Sequence, residues 1–313
     1  MIFPKLNRAT GLFWWKHSLP PKPTKKDLLD GENHIRLMLT SGGPRMIGKL
    51  GTTELMGLEF FDRWIQPAFP ANASWKRPAE RLLHTAGLFP VSREIFFRWK
   101  EAYLESVHHL DVVAQWQPSG TFLSVYEDTA LRRFAPQARR VPLASLHPIW
   151  PPASWLPAIL GKRWLVVSPF PETIRSQLPH LSKLGIYPEA YLDQLENTAR
   201  SLQVVACPQL AYMVPSRHRD WFHALDCLQQ EISSCSFDIA LIGAGAWSLP
   251  LAAYVKFLGK SAMHLGGQLQ LMFGIKGGRW DHKSNELYND FWTRPLPQET
   301  PENHRLMEHG AYW

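Results

Sequence analysis

Residues 238–279 constrain the fold of this chain more than any other stretch. Residues 238–242 form a short apolar run typical of a buried strand, and a Gly-Ala-Gly turn follows it. Apolar residues then recur at helical spacing over residues 246–258, before a second strand-like run at residues 261–265. A strand, a turn, a helix and a strand make one βαβ unit, which requires a parallel sheet.

The same unit predicts where a ligand would bind. A glycine turn exposes backbone N–H groups at the start of a helix, which is a natural place for a phosphate. Gly266, Gly267 and Gln268 follow the second strand at the same edge of the sheet. Open α/β sheets bind ligands at the carboxyl ends of their strands, so we expect the binding site here.

Two earlier segments repeat the strand–turn–helix pattern. Strand-like runs at residues 46–50 and 164–167 are each followed by a short turn and a predicted helix, over residues 55–64 and 172–184. Because the carboxyl ends of parallel strands share one edge, the three turns are expected to form one pocket. The candidate donor- and phosphate-binding residues are Gly51, Thr52, Thr53, Ser168, Phe170, Gly243, Ala244, Gly245, Gly266, Gly267, Gln268 and Arg279.

The alternation of strands and helices predicts an α/β fold, with a Rossmann-like, mostly parallel sheet and helices on both faces. We expect an N-terminal arm at residues 1–27 and a single domain at residues 28–313. The domain would include an aromatic C-terminal tail at residues 279–313 that docks on the body. Residues 121–126 are predicted to be a strand, and the proline-rich residues 142–155 an extended loop.

Charge and cysteine content indicate which classes of partner and which cellular compartment to expect. The 313 residues carry a net charge of +7, which favours an anionic partner, but the basic residues are scattered and do not predict a nucleic-acid site. Three cysteines without zinc-type spacing and the lack of a signal-peptide pattern favour the cytoplasm. The aromatic and basic residues 13–17 leave two interpretations of the arm open, a packed extension or a peripheral membrane contact.

The residues of the predicted pocket bear on three kinds of chemistry: dinucleotide binding, hydrolysis by a catalytic triad, and sugar-nucleotide binding. Residues 243–248 fit G-x-G-x-x-S, but no acidic residue follows about 20 positions later, as a dinucleotide site requires. No Gly-x-Ser-x-Gly elbow indicates a hydrolytic triad. A sugar-nucleotide site needs a diphosphate cradle, polar groups for the sugar and a carboxylate or metal, which the three turns and Glu54 would supply.

Several short motifs resemble those of a known family. Residues 47–55, Ile-Gly-Lys-Leu-Gly-Thr-Thr-Glu-Leu, resemble the Arg-Phe-Gly-Asp-Gly-Glu type of motif of bacterial GT-D-fold glycosyltransferases. Residues 238–267 resemble the late βαβ unit of that family, and residues 164–170 and 308–313 are similar to uncharacterised relatives. The resemblance implies sugar transfer from a nucleotide-sugar donor to a glycan, lipid-linked or protein acceptor.

The resemblance also implies catalytic and metal-binding residues. The family's Asp-x-Glu pair works at the donor site with a divalent metal, which implies Glu54 as the catalytic carboxylate and metal ligand, with Mn²⁺ or Mg²⁺ as cofactor. Thr52 stands at the Asp position, and a hydroxyl is a poorer metal ligand than a carboxylate. A second ligand would then come from Glu59, Glu127 or Asp128.

The second family motif, Asp-x-Gly-His, is altered in this chain. His264 stands at the Asp position and Gly267 at the His position, so His264 is the second catalytic candidate. Gln268 and Gln270 alternate along a segment predicted to be extended, which would turn both amides to one face. Two other functions stay open: a non-catalytic nucleotide- or glycan-binding relative, and a dinucleotide- or SAM-dependent enzyme.

Overall fold

Seven parallel strands form one sheet in the computed structural model of the chain. The model describes residues 22–65, 76–116, 122–149, 155–208, 217–282 and 285–313. The strands are β1 Met46–Gly48, β2 Val112–Gln115, β3 Arg139–Pro142, β4 Trp164–Ser168, β5 Gln203–Ala206, β6 Ile239–Ile242 and β7 Ser261–His264. Their order across the sheet is β3-β2-β1-β7-β6-β4-β5, and each neighbouring pair is parallel. The predicted Rossmann-like α/β fold is therefore confirmed.

Helices cover both faces of this sheet. The α-helices are α1 Lys25–Thr40, α2 Thr52–Ile65, α3 Lys76–Ala86, α4 Arg93–His108, α5 Phe122–Phe134, α6 Pro171–Gln177, α7 Leu192–Ser201, α8 Trp221–Ser234 and α9 Ser248–Phe257. The buried side chains of α2–α5, α8 and α9 belong to one core, and those of α1, α6 and α7 to another. Strands β4 and β6 are buried along their whole length, which explains their unbroken apolar sequences.

The chain leaves the carboxyl edge of the sheet in opposite directions from neighbouring strands. After β1 and β6 it enters α2 and α9, which pack in the first core. After β4 and β7 it enters α6 and the 3₁₀ helix Gly266–Phe273, which pack in the second core. Loops that diverge in this way open a crevice at the strand ends, where ligands bind in open α/β sheets.

Two elements differ from the sequence-based predictions near β2 and β3. The predicted strand at residues 121–126 is wrong, because Phe122 begins helix α5. Leu131 of this helix is buried in the first core, as is Ala135 directly after its end. The predicted loop at residues 142–155 follows a strand that was missed, β3. Strand β3 lacks an alternating apolar pattern because it lies at the edge of the sheet, where Arg139 is exposed.

Two further predictions need correction. The helix predicted over residues 172–184 changes to a 3₁₀ helix at Leu178–Lys183, where Pro179 cannot donate a helical hydrogen bond. The segment containing Gln268 and Gln270 is a 3₁₀ helix and not extended, so these two side chains do not share a face by strand alternation.

The chain termini also show where predicted boundaries shift. Helix α1 begins inside the predicted arm because Thr24 and Asp27 form a capping box, each side chain bonding to the other's backbone N–H. Residues 1–21 of the arm, including residues 13–17, lie outside the described residues. Among the helices that the structure describes, none is long and apolar enough to cross a membrane.

The C-terminal tail packs on the body through its aromatic residues. Trp280 and Trp292 are buried in the second core, and the Trp292 indole donates to the Leu184 carbonyl at 3.1 Å. The carbonyl of the last residue, Trp313, accepts a hydrogen bond from the Gly278 N–H at 2.9 Å. The predicted docking of the tail therefore has specific polar anchors as well as apolar contacts.

Glu299 in this tail occupies the N-terminus of α6. Its carboxylate accepts hydrogen bonds from the N–H groups of Glu172 at 2.7 Å and Thr173 at 2.9 Å, and from the Thr173 hydroxyl. A buried carboxylate at a helix N-terminus satisfies otherwise unpaired donors and complements the helix dipole. The turn after β4 therefore presents these donors to Glu299 and not to a bound phosphate.

We expect the Glu299→Ala substitution to lower the free energy of unfolding by about 2–4 kcal/mol, because it removes charge-assisted bonds and leaves buried N–H groups unpaired. Urea denaturation measures the change. The control is Glu302→Ala at an exposed tail position, with an expected change within about 0.5 kcal/mol. Equal losses from both substitutions would contradict a capping role for Glu299.

Candidate functional site

A cavity of about 170 Å³ opens at the carboxyl edge of the sheet. The ends of β1, β4, β6 and β7 and the last residues of the tail line it. It brings together the predicted residues Gly51, Thr52, Thr53, Glu54, Phe170, Gly243, Ala244, Gly245, His264, Gly266, Gly267 and Arg279. Three separate strand–turn–helix segments therefore converge on one site, as their sequence pattern indicated.

Two predicted residues do not line the cavity. Ser168 is buried, and its hydroxyl accepts a hydrogen bond from the Phe170 N–H at 3.1 Å. Gln268 lies in the 3₁₀ helix after β7, with its side-chain oxygen buried. Its neighbour Gln270 lines the cavity instead, and its amide donates to the backbone carbonyls of Ile275, Lys276 and Tyr312.

The glycine turn after β6 allows close packing of three segments. A Cβ atom on Gly243 would lie 2.6 Å from the Gly266 carbonyl oxygen, and one on Gly245 would lie 2.6 Å from the Ala86 carbonyl oxygen. Gly245 also has a φ of 53°, a conformation that favours glycine. Close packing therefore requires glycine at both positions, whether or not the turn also binds a phosphate.

The same turn differs from a dinucleotide-binding turn in its following residues. Trp247 is buried and stacks on Trp221 with ring centroids 6.0 Å apart, so an indole fills the space behind the turn. The Ala244 N–H donates to the Ser248 hydroxyl at 2.9 Å. With His264 at the end of β7, no acidic side chain stands where a ribose would be held.

Glu54 lies in the first turn of α2 and is 7 % exposed. Its carboxylate folds back against Gly51, where any Cβ would overlap it. Burial raises the pKa of Glu54 to about 6, although its own backbone N–H and the Lys49 ammonium act in the opposite direction. This carboxyl group can therefore take up and release a proton near neutral pH, as a general base must.

Lys49 is the main functional candidate that the sequence reasoning missed. It follows β1 and lines the cavity, with its ammonium 5.3 Å from the centre of the Trp116 ring. Burial and the nearby Arg279 guanidinium lower the pKa of Lys49 to about 8, while Glu54 acts to raise it. The signal was its position directly after a strand, at the start of the motif that contains Glu54.

Arg279 reaches the cavity from the tail side. Its guanidinium forms an ion pair with Glu308 and lies 4.7 Å from the centre of the Tyr312 ring. Tyr312 in turn packs against Gly267, where a Cβ would overlap the phenol ring. A histidine at position 267, the residue of the family motif, would therefore not fit beside this tail.

His264 lies at the end of β7 and is 5 % exposed. Burial, with a further contribution from the Lys49 ammonium, lowers the pKa of His264 to about 3. Its Nδ1 atom is 3.4 Å from the Ile242 carbonyl oxygen. The ring is therefore neutral near pH 7, where it can form hydrogen bonds but is a much weaker base than Glu54.

The residues around Glu54 do not fit a divalent metal. Glu127 is buried and accepts a hydrogen bond from the Trp116 N–H at 3.0 Å, while Asp128 pairs with arginines. The side chain of Glu59 lies outside the described part, and Glu308 is paired with Arg279. Mn²⁺ and Mg²⁺ prefer several oxygen ligands, and a neighbouring ammonium opposes a second positive charge.

The metal-ligand geometry that the described residues do contain lies elsewhere. The donor atoms of His218, His223 and Cys227 are within 4.8 Å of one another, at the start of α8. None of these three side chains lines the cavity. Among the described residues, Glu54 belongs to no cluster of three potential metal ligands.

Comparisons with known proteins add little to this geometry. No family description matches the chain, and no curated protein was found to be similar. A search of solved structures found a chain titled "Selenomethionine substituted structure of domain of unknown function 1792 (DUF1792)", at 12% identity and a TM-score of 0.34, covering 86% of this chain and 96% of that chain. A similarity at that TM-score and identity supports no statement about function.

We expect Glu54→Gln to stabilise the fold above about pH 6 and not below about pH 4.5. In the folded protein the pKa of Glu54 is about 6, above its ordinary value of 4.5. Folding therefore favours the neutral carboxyl group, so the folded protein keeps its full stability below pH 4.5 and loses stability as the pH rises through 6. A glutamine stays neutral, so the gain reaches about 2 kcal/mol at pH 8.

Urea denaturation of both proteins at pH 4 and pH 8 measures this difference. Glu302→Gln, at an exposed position of the tail, is the matched control and should change neither value. A loss of stability at pH 8 in Glu54→Gln would show that the fold needs the ionised carboxylate.

Proposed function

We propose that this protein is a glycosyltransferase that moves a sugar from a nucleotide-sugar donor to a hydroxyl acceptor. The observation that supports this most directly is that Glu54 and Lys49 line the same cavity at the carboxyl edge of a parallel sheet and shift each other's pKa values. A carboxyl group with a pKa of about 6 and an ammonium with a pKa of about 8 provide a base and an anion partner near neutral pH. The resemblance of residues 47–55 to the family motif favours the same reaction.

In this reaction the bond from the sugar anomeric carbon to the donor diphosphate breaks, and its electron pair leaves with the diphosphate oxygen. A hydroxyl oxygen of the acceptor forms the new bond to that carbon. Its proton passes to the Glu54 carboxylate, which has a pKa suited to accepting it. Neutral His264 would hold the acceptor hydroxyl or a sugar hydroxyl by a hydrogen bond.

The N-terminus of α2 supports the placement of the donor diphosphate. The first turn of this helix, Thr52, Thr53 and Glu54, lines the cavity together with the turn after β6. Backbone N–H groups at a helix N-terminus attract phosphate oxygens. The cavity of about 170 Å³ is smaller than typical ligand pockets of about 300–1,000 Å³, so the diphosphate would occupy it and the nucleoside would extend beyond it.

The aromatic lining fits a sugar substrate. Trp116, Tyr312 and Trp313 all line the cavity, and the Phe170 and Trp313 rings meet edge to face with centroids 5.8 Å apart. Tyr and Trp combine an apolar ring face with a polar O–H or N–H group. This combination suits a sugar ring, which has both apolar C–H faces and hydroxyl groups. Glycan, lipid-linked and protein hydroxyls remain the acceptor classes of the proposal.

Thermal-shift measurements with a panel of UDP- and GDP-sugars test donor binding, each with and without Mn²⁺. We expect at least one donor to raise the melting temperature by several degrees, because a ligand at one hundred times its Kd stabilises a protein by about 2.7 kcal/mol. Adenosine nucleotides and SAM serve as comparison ligands. Stabilisation by SAM or a dinucleotide alone would favour the alternative enzyme class.

The Glu54→Gln variant separates a transferase from a relative that only binds. In a transferase we expect turnover to fall by about 10²- to 10⁴-fold while nucleotide binding persists, because the variant loses its base and keeps Lys49. Release of nucleoside diphosphate from the donor that binds measures turnover. Donor binding without measurable turnover in the unmodified protein, across glycan, lipid-linked and peptide acceptors, would instead favour the non-catalytic relative.

A further inference from the structure

The two cationic side chains of the cavity are in different electrostatic states. Arg279 forms an ion pair with Glu308, so its charge is largely balanced within the protein. Lys49 forms no ion pair or hydrogen bond with any described residue through its ammonium, which faces the Trp116 ring at 5.3 Å. Burying a charge without a close counterion is costly, and burial lowers the pKa of Lys49 for this reason.

The surroundings of Lys49 keep the ammonium at the edge of the sheet. A Cβ on Gly266 would lie 3.4 Å from its Nζ and 3.2 Å from its Cε, so a larger residue at position 266 would press on the lysine. Trp116 is fixed on the other side by its indole N–H, which donates to the Leu50 carbonyl at 2.7 Å. The backbone N–H of Trp116 is held in turn by the Glu127 carboxylate.

Because this cavity does not fit a divalent metal, the charge of a departing diphosphate would have to be neutralised by another group. A divalent cation in a transferase neutralises the charge that develops on the departing diphosphate. Here Thr52 stands in place of a carboxylate, and a fixed ammonium lies near Glu54. The chain therefore supplies one positive charge at the location where the resemblance implies a metal.

We propose that the Lys49 ammonium takes the place of the divalent cation, binding the diphosphate of the donor without a metal. This inference rests on the proposed function and adds the residue that binds the leaving group. When the bond to the sugar breaks, the electron pair and the new negative charge remain on the diphosphate oxygen beside Lys49. The acceptor proton goes to Glu54, so no other co-reactant is needed.

The test measures binding of UDP and of GDP by calorimetry, each in buffer with EDTA or with Mn²⁺. We expect at least one nucleotide to bind in EDTA with a Kd within about threefold of its value in Mn²⁺. Lys49→Met should weaken that binding by about 10- to 100-fold, the range for a hydrogen bond to a charged group. Lys49→Arg should restore part of it, because the charge is kept.

The control is Lys276→Met, which removes another partly buried lysine with an aromatic contact, 5.3 Å from the Tyr288 ring, outside the cavity lining. It should bind nucleotide as the unmodified protein does. Lys49→Met should also keep its fold, since it removes a charge whose burial is unfavourable. Melting temperatures confirm that each variant is folded before binding is measured.

The outcomes separate this inference from the proposed function. Binding that requires Mn²⁺ would overturn the role of Lys49 and leave the transferase proposal standing. Binding in EDTA that survives Lys49→Met unchanged would also overturn it. Failure of both nucleotides in both buffers would count against the proposed function itself, and the inference would fall with it.

Discussion

The burial of the central parallel strands on both faces is the constraint on which the rest of the molecule depends. Strands β4 and β6 are fully buried, so helices must cover both sides of the sheet and polar groups must leave at its edges. The chain turns towards opposite faces after neighbouring strands, which opens a crevice at the carboxyl edge. The cavity at this edge is thus a consequence of how the sheet is covered.

Charge burial gives this cavity its chemical character. Burial acts on Glu54 and Lys49 in opposite directions, raising the pKa of the carboxyl and lowering that of the ammonium, so both move towards neutral pH. The pKa of buried His264 falls until the ring is neutral, which favours Glu54 as the base of the proposed transfer. A carboxylate and an ammonium held in one site provide the charges for the proposed sugar transfer.

The C-terminal tail completes the site and restricts which residues and ligands fit beside it. Tyr312 packs on Gly267, Arg279 pairs with Glu308, and Glu299 caps the helix after β4. The tail therefore occupies one of the three turns that the sequence offered for phosphate. The turn after β4 still lines the cavity through Phe170, and the turns after β1 and β6 contribute Glu54 and the glycines 243 and 245.

The sequence by itself determined the parallel α/β fold and the meeting of its turns, because unbroken apolar runs followed by glycine turns have few other solutions. It did not reveal edge strand β3, whose arginines hide the strand pattern, or helix α5, whose first residues favour a strand. Only the tertiary structure decided that Lys49 lies in the same cavity as Glu54 and Arg279. The burial that shifts the pKa values of Lys49 and Glu54 comes from neighbours that the fold packs around them, which no local sequence pattern shows.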